Sequence, residues 1–297
     1  MKNQTKALLA IILTAILGGG IPVMSKVSLV EIPPLSVAAL RFLIASIFLL
    51  PTFIKYSPRK LHELSKVIGA SLFGTVNILL FVFGIKYTSA TMGQMIYALV
   101  PVLAGILSYF LIKEKITGKK ILGVVLGLLG TIIIVLLPVI DKGAGLESSL
   151  KGNLLILMAV MAFSFYPVLS KKLQKKYNPL FLSAVFVITT AIVALVLSIS
   201  DWLINPYWWQ PVSLQAWMGV IYLGIFGGAG YYVLYQYAVK YGTPIIASMI
   251  LYLQPAMVFL WAKTLLGEKL TLGLVIGGVL ALIGAYLTTI SNKKTKD

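Results

Sequence analysis

The sequence predicts an all-α membrane protein of ten transmembrane helices, arranged as two inverted five-helix repeats. Three observations carry that prediction. Hydrophobic residues make up 59% of the 297 and charged residues only 11%, where a soluble domain carries roughly 25% charged. Ten apolar segments follow one another, each with the ~17–25 residues a spanning helix needs. Finally, one stretch occurs twice. Adding 154 to each number takes Lys86-Tyr87 to Lys240-Tyr241, Met95-Ile96 to Met249-Ile250, Pro101 to Pro255 and Glu114-Lys115 to Glu268-Lys269. Over 84–117 that register gives 10 identities in 34 positions without a gap.

The first segment, near 7–25, follows Lys2 and Lys6 as a signal peptide would. Its apolar run continues through Ile21-Pro22-Val23 and has a partner later in the chain, so it reads as a span. The others lie near 35–54, 67–85, 91–112, 121–140, 152–170, 180–199, 216–238, 244–264 and 271–290. Connections are too short for a separate soluble domain. The longest, Ser200 to Gln215, holds Trp202, Trp208 and Trp209 and reads as an interfacial aromatic belt.

Loop charge sets the orientation. With the N-terminus inside, the inner loops collect 18 of the 25 lysines and arginines and the outer side 6, with Arg41 left within the second segment. This bias predicts a multi-pass protein of the plasma (inner) membrane with both termini cytoplasmic. The net charge of +17 is therefore loop charge and not a nucleic-acid footprint. His62, the only histidine, falls in an inner loop beside Glu63 and is assigned no special role. Cysteine is absent, which excludes disulfides, thiolate nucleophiles and Cys-ligated metals. Neither a cofactor nor a metal is expected; the expected partners are the lipid bilayer and a small-molecule substrate, in a monomer or homodimer.

The repeat extends beyond its clearest part. At an offset of 145, Pro22-Val23 maps to Pro167-Val168, Ser25-Lys26 to Ser170-Lys171 and Pro34-Leu35 to Pro179-Leu180. The halves are 1–145 and 146–297, each with five segments. Because five is odd, the second half enters the membrane from the opposite face, which makes the repeat inverted about an axis in the membrane plane.

A helix with a mid-membrane proline, then Glu-Lys-x-Thr, then a glycine-spaced helix (Gly123, Gly127, Gly130; Gly273, Gly277, Gly284) is present twice. This arrangement resembles the EamA branch of the drug/metabolite transporter superfamily, and the resemblance covers essentially the whole chain. It implies a ten-helix basket around a central cavity, with the third, fourth, eighth and ninth helices at its core. It also implies efflux of amino acids or related metabolites. Other branches move nucleotide-sugars or sugar phosphates, and no cluster of intramembrane lysines and arginines is present to hold a phosphate.

The residues point to the same place on physical grounds. Proline in a spanning helix removes a backbone donor and frees a carbonyl one turn earlier, tolerable where protein or a wet cavity satisfies it. Pro101 and Pro255 are expected to mark opposed mid-membrane bends, with Pro22 and Pro167 a second pair. Asn77 and Phe81 lie four apart on the third segment, and their mates Tyr231 and Tyr235 four apart on the eighth, so each pair shares a helical stripe. Gln94, Tyr97 and Pro101 share a face of the fourth; Ser248, Tyr252 and Pro255 share one of the ninth. Tyr166 adds an aromatic on the sixth. Amides and hydroxyls facing lipid are costly, so these stripes should point inward and form the substrate site. Tyr232 and Gln236 form a competing stripe on the eighth segment.

All eight acidic residues fall in loops, helix ends or the tail. A proton antiporter usually has a buried carboxylate that proton and cationic substrate take in turn, so carboxylate-based proton coupling is not expected. Arg41 lies about 9 Å along its helix from the outer end; outward snorkelling is the expectation, with coupling through Arg41 or a tyrosine network as the alternative. Glu114 and Glu268 read as turn and topology signals before the N-caps Thr117 and Thr271. Gly18-Gly19-Gly20 and Gly227-Gly228 read as helix contacts. No catalytic set such as H-E-x-x-H or paired intramembrane aspartates is present, so the chain is not read as an enzyme. The expected function is an exporter or facilitator of amino acids or similar zwitterionic or uncharged solutes, working by alternating access. A non-transporting receptor or scaffold and a proton-coupled multidrug exporter are the alternatives.

Overall fold

Residues 3–58, 60–87, 93, 96–142, 150–254, 257–258, 261, 275–277, 279–280, 283–284 and 286–287 are described by a computed structural model. Among these the regular structure is helical throughout. Helices α1 (Asn3–Leu29), α2 (Pro34–Tyr56) and α3 (Leu61–Tyr87) are followed by α4 (Val100–Ile112) and α5 (Gly118–Lys142). The second half supplies α6 (Leu150–Leu173), α7 (Pro179–Ile204), α8 (Leu214–Tyr241) and α9 (Pro244–Gln254). Described residues between 275 and 287 are helical and belong to the last predicted segment. Six of these helices, α1, α2, α3, α6, α7 and α8, are long and apolar enough to cross a membrane.

The helix starts follow from their sequences. Pro34 and Pro179, repeat mates, each occupy the first position of a helix, where a missing N–H costs nothing. Side chains then satisfy the free amides of the first turns: Asn178 accepts from Leu180 N at 3.0 Å, Ser213 from Ala216 N at 3.3 Å and Thr243 from Ile246 N at 3.2 Å.

Two segments depart from the continuous helices expected. The fourth, anticipated over 91–112 with Pro101 near its middle, becomes a regular helix only at Val100, after a turn at Ala98-Leu99. Pro101 therefore opens α4 instead of bending it, because a first-turn proline loses no intrahelical hydrogen bond. The ninth is likewise interrupted, by a turn at Met249. Within α8 the glycine-rich run Ile225–Gly230 forms a single π turn.

The most extensive packing pairs α3 with α6 and α2 with α7, while α1 lies along α8. Under the repeat α1 exchanges with α6, α3 with α8 and α2 with α7, so these pairings map onto one another. The mates α2 and α7 run antiparallel. Near one end Asp201 accepts from Ser36 N and Ser36 Oγ, both at 2.8 Å; near the other Phe53 stacks on Phe181 with centroids 6.2 Å apart. Antiparallel mates are what an axis in the membrane plane requires.

Close approach is built from small residues. A Cβ on Gly228 would sit 2.7 Å from that of Ala45, so only glycine lets the π turn rest on α2. Across α1, Gly18, Gly19 and Gly20 lie against Tyr231, Met257 and Tyr222 in turn. Aromatic rings fill the centre: Phe42 and Phe186 meet edge to face at 5.8 Å, and Phe186 meets Tyr232 at 4.5 Å. The outer faces of α2 and α7 are apolar, with Ile47, Phe48, Ile192 and Val196 exposed as lipid-facing residues are.

Glu31, in the α1–α2 loop, grips the start of α8. Its carboxylate accepts from Ser213 N and Ser213 Oγ, each at 2.6 Å. Those hydrogen bonds hold its pKa below the ordinary value. A carboxylate depressed in the folded state stabilises the fold above its unfolded pKa, and that contribution fades as pH falls through the folded one. Thermal unfolding followed from neutral to acid pH is therefore expected to show a loss that the Glu31→Gln variant lacks; parallel curves would remove the loop clamp from the account.

Candidate functional site

Helices α1, α2, α3, α6, α8 and α9, together with Tyr97 ahead of α4, line a cavity of about 60 Å³. It is lined from both halves of the chain. Of the residues anticipated from sequence, Pro22, Asn77, Phe81, Tyr97 and Tyr231 face it. The amide of Asn77 organises one wall: Nδ2 donates to Tyr97 OH at 2.5 Å and to the carbonyl of Ala159 on α6 at 2.9 Å. That pair of bonds ties α3, the broken fourth segment and α6 at one point. Phe81 meets the Tyr97 ring edge-on at 5.9 Å.

The other anticipated residues sit behind this lining. Tyr235 stacks under Tyr231 at 6.0 Å and is fully buried, its hydroxyl without a partner. Tyr166 accepts from Gln236 Nε2 at 2.7 Å, a bond between α6 and α8. Ser248 satisfies itself on the Ile245 carbonyl at 2.7 Å. Tyr252 is buried against Gly127 of α5, away from the cavity. Pro167 lies inside α6 and Pro101 in the first turn of α4. Gln94, Pro255, Glu268 and Thr271 lie outside the described residues.

Pro22 shows what a proline does here. It cannot donate to the carbonyl of Gly18, four residues earlier, and Gln254 from α9 fills the gap, its Nε2 donating to Gly18 O at 2.9 Å. The preceding carbonyls are held too, Leu17 O by Tyr222 OH at 2.9 Å and Ile16 O by Trp261 Nε1 at 3.3 Å. Three successive carbonyls of α1 are thus bonded by side chains of the second half. Pro167 likewise leaves Phe163 O without its helical donor. The repeat mate of Gln254 is Val100, which has nothing to donate.

Arg41 corrects the expectation that it snorkels outward. It is 1% exposed and lines the cavity beside Tyr231 and Tyr232. Its guanidinium lies 4.9 Å from the Phe42 ring, and Nη2 reaches the carbonyl of Gly227 at 3.4 Å. The π turn is the cause. With Gly224 and Gly228 seated on α2, α8 closes over Arg41, and the altered winding offers it a carbonyl.

The pattern that defines the EamA-like transporter family matches the chain twice, over residues 5–136 and 150–290. The chain belongs to the EamA-like transporter family. Relatives include an uncharacterized transporter of Clostridium kluyveri, 29% identical over 89% of this chain and 86% of that protein. The uncharacterized transporter YoaV of Bacillus subtilis is 25% identical over 99% and 100%, and a WAT1-related protein of Arabidopsis thaliana 28% identical over 86% and 78%. A solved crystal structure, 22% identical, superposes with a TM-score of 0.76 over 99% of both chains, which extends the likeness in fold.

As an EamA-like transporter the chain is a multi-pass membrane protein. The first Glu-Lys-x-Thr motif closes α4 and opens α5. Glu114 N donates to Ser108 O at 3.1 Å after Lys113 turns left-handed, Thr117 Oγ1 accepts from Lys120 N at 3.4 Å, and Glu114 Oε1 takes Lys120 Nζ at 2.8 Å. Sequence reasoning left Arg41, Tyr232 and Gln254 out of the site. Tyr232 was visible as part of the competing stripe; for Gln254 the usable signal was its place one residue before Pro255.

Proposed function

We propose that this EamA-like transporter carries amino acids and similar zwitterionic or uncharged solutes of modest size by alternating access, its two halves rocking about the cavity. The observation that supports this most directly is the cavity wall: amide, phenol and apolar groups drawn from both halves, next to broken or proline-bearing helices. Amino acids with hydrophobic or aromatic side chains suit such a lining best. The proposal includes export or facilitated passage across the plasma membrane with both termini cytoplasmic. It is in keeping with the gathering of Lys113, Lys171, Lys172, Lys175 and Lys240 around one crevice at the end reached by the inner loops.

Purified protein in liposomes should exchange labelled leucine or phenylalanine saturably. Among the described residues no carboxylate lines the cavity, so collapsing the proton gradient with an ionophore is expected to leave that exchange unchanged. Failure to move any amino acid, nucleoside, sugar or organic cation would remove the carrier reading. Exchange that stops with the gradient would turn it toward proton coupling.

A further inference from the structure

The cavity holds a positive charge that nothing described in the protein balances. A guanidinium keeps its proton at any physiological pH, and Arg41 is 1% exposed. The described carboxylates that hold a partner are engaged elsewhere: Glu31 on Ser213, Glu63 on Lys176, Glu114 on Lys120 and Asp201 on Ser36. Arg41 has five N–H donors to place. One reaches Gly227 O at 3.4 Å, near the outer limit of a hydrogen bond, and Nε is buried without any partner. Leaving a buried cation so underused is costly unless something periodically completes it.

A second orphan lines the same cavity. Gln254 must turn its Nε2 to Gly18 O, because a carbonyl can only accept. The orientation of the amide is thereby decided by Pro22, and Oε1 is left as a buried acceptor with no donor. Arg41 Nε without an acceptor and Gln254 Oε1 without a donor thus belong to two side chains that line one small space, with Tyr97, Tyr231 and Tyr232 around them.

From this geometry we infer that Arg41 and Gln254 form a head-group site for an α-amino acid, the guanidinium taking the carboxylate and Gln254 Oε1 the ammonium. The inference rests on the carrier reading and assigns the side chains that hold its substrate's head group. One fixed cation matches a singly charged carboxylate; a phosphate monoester would bring a second negative charge with nothing to meet it. The zwitterion enters neutral overall, while the apolar lining of Ile21, Ile78, Phe163 and Leu251 receives its side chain.

The test is a ligand series on the purified full-length protein in detergent, with binding read by titration calorimetry and thermal shift. The probes are leucine, leucinol, which lacks the carboxylate, and 4-methylpentanoate, which lacks the amine, with the phenylalanine trio in parallel. The amino acid is expected to bind at least about tenfold more tightly than either truncated partner. Arg41→Gln should lower the amino acid to the level of the amino alcohol and leave the alcohol unchanged; Gln254→Leu should do the same toward the acid. Arg41→Lys should restore part of the loss. Equal binding of leucine and leucinol by the unaltered protein overturns the site, and so does an Arg41→Gln variant that weakens both alike, or failure of both amino acids to bind. The unaltered protein alone decides the first comparison, so a variant that does not fold leaves the inference exposed to refutation. Liposome flux separates the two readings. Flux of leucinol equal to leucine retains the carrier and removes the head-group site. Carboxylate-selective binding without flux of any solute retains the site and removes the carrier.

Discussion

Asn77→Ala is expected to lower amino-acid flux about tenfold, equivalent to ~1.4 kcal/mol of lost interaction, while the protein still inserts and folds. The side chain touches the cavity and also fixes the wall around it, through Tyr97 OH at 2.5 Å and Ala159 O at 2.9 Å. Without the amide, Tyr97 loses its donor and the broken fourth segment loses its anchor to α6. Two hydrogen bonds at ~1 kcal/mol each set the scale of the stability cost, within reach of a membrane protein this extensively packed. Liposome flux and a melting curve measured on the same preparation separate loss of transport from loss of fold. Tyr252→Phe is the internal control: it deletes a buried hydroxyl that has no partner and lies off the cavity, so flux should persist. Normal flux in Asn77→Ala would detach this wall from the transport path.

Glu114→Gln is expected to cost about 3 kcal/mol of stability, the range for breaking a buried ion pair from one side. The pair is shielded, with side-chain exposures of 4% for Lys120 and 8% for Glu114 and a distance of 2.8 Å. Glutamine's amide oxygen can still accept from Lys120 Nζ, as the Lys115 carbonyl does at 3.4 Å, but neither carries the charge that offsets the buried ammonium. Adding Lys120→Met to the same background should recover much of the loss, because the uncompensated charge is then gone as well. Thermal unfolding of the single and double variants reads both. A single variant that melts within a degree of the unaltered protein would reduce the Glu-Lys-x-Thr motif to its turn and cap.

Much of the architecture was legible before any coordinate. Proline and Glu-Lys spacing revealed the duplication, and hydropathy located helices whose ends the structure moves by a few residues, as in 7–25 against Asn3–Leu29. Stripe arithmetic brought Asn77, Phe81 and Tyr231 to the cavity because helical periodicity survives folding. The same arithmetic could not separate cavity from packing for Ser248 and Tyr252. Both face inward, and whether an inward residue meets space or Gly127 depends on the neighbouring helix. Arg41 was misread for a related reason. Its height along α2 permits snorkelling, and only the π turn of α8, a tertiary feature with no periodic signal, closes that route. Gln254 was hidden because its partner is a carbonyl 236 residues away, freed by a proline in the other half.

The unequal treatment of the two proline-freed carbonyls bears on which way a rocking carrier rests. Gly18 O is tethered across the interface by Gln254, whereas the repeat mate of that glutamine is Val100, whose side chain has nothing to donate to Phe163 O. One such tether is worth ~1 kcal/mol. A conformer that preserves it would outnumber its mirror-related alternative about fivefold, and the duplicated halves, nearly interchangeable in plan, would idle with the same door shut.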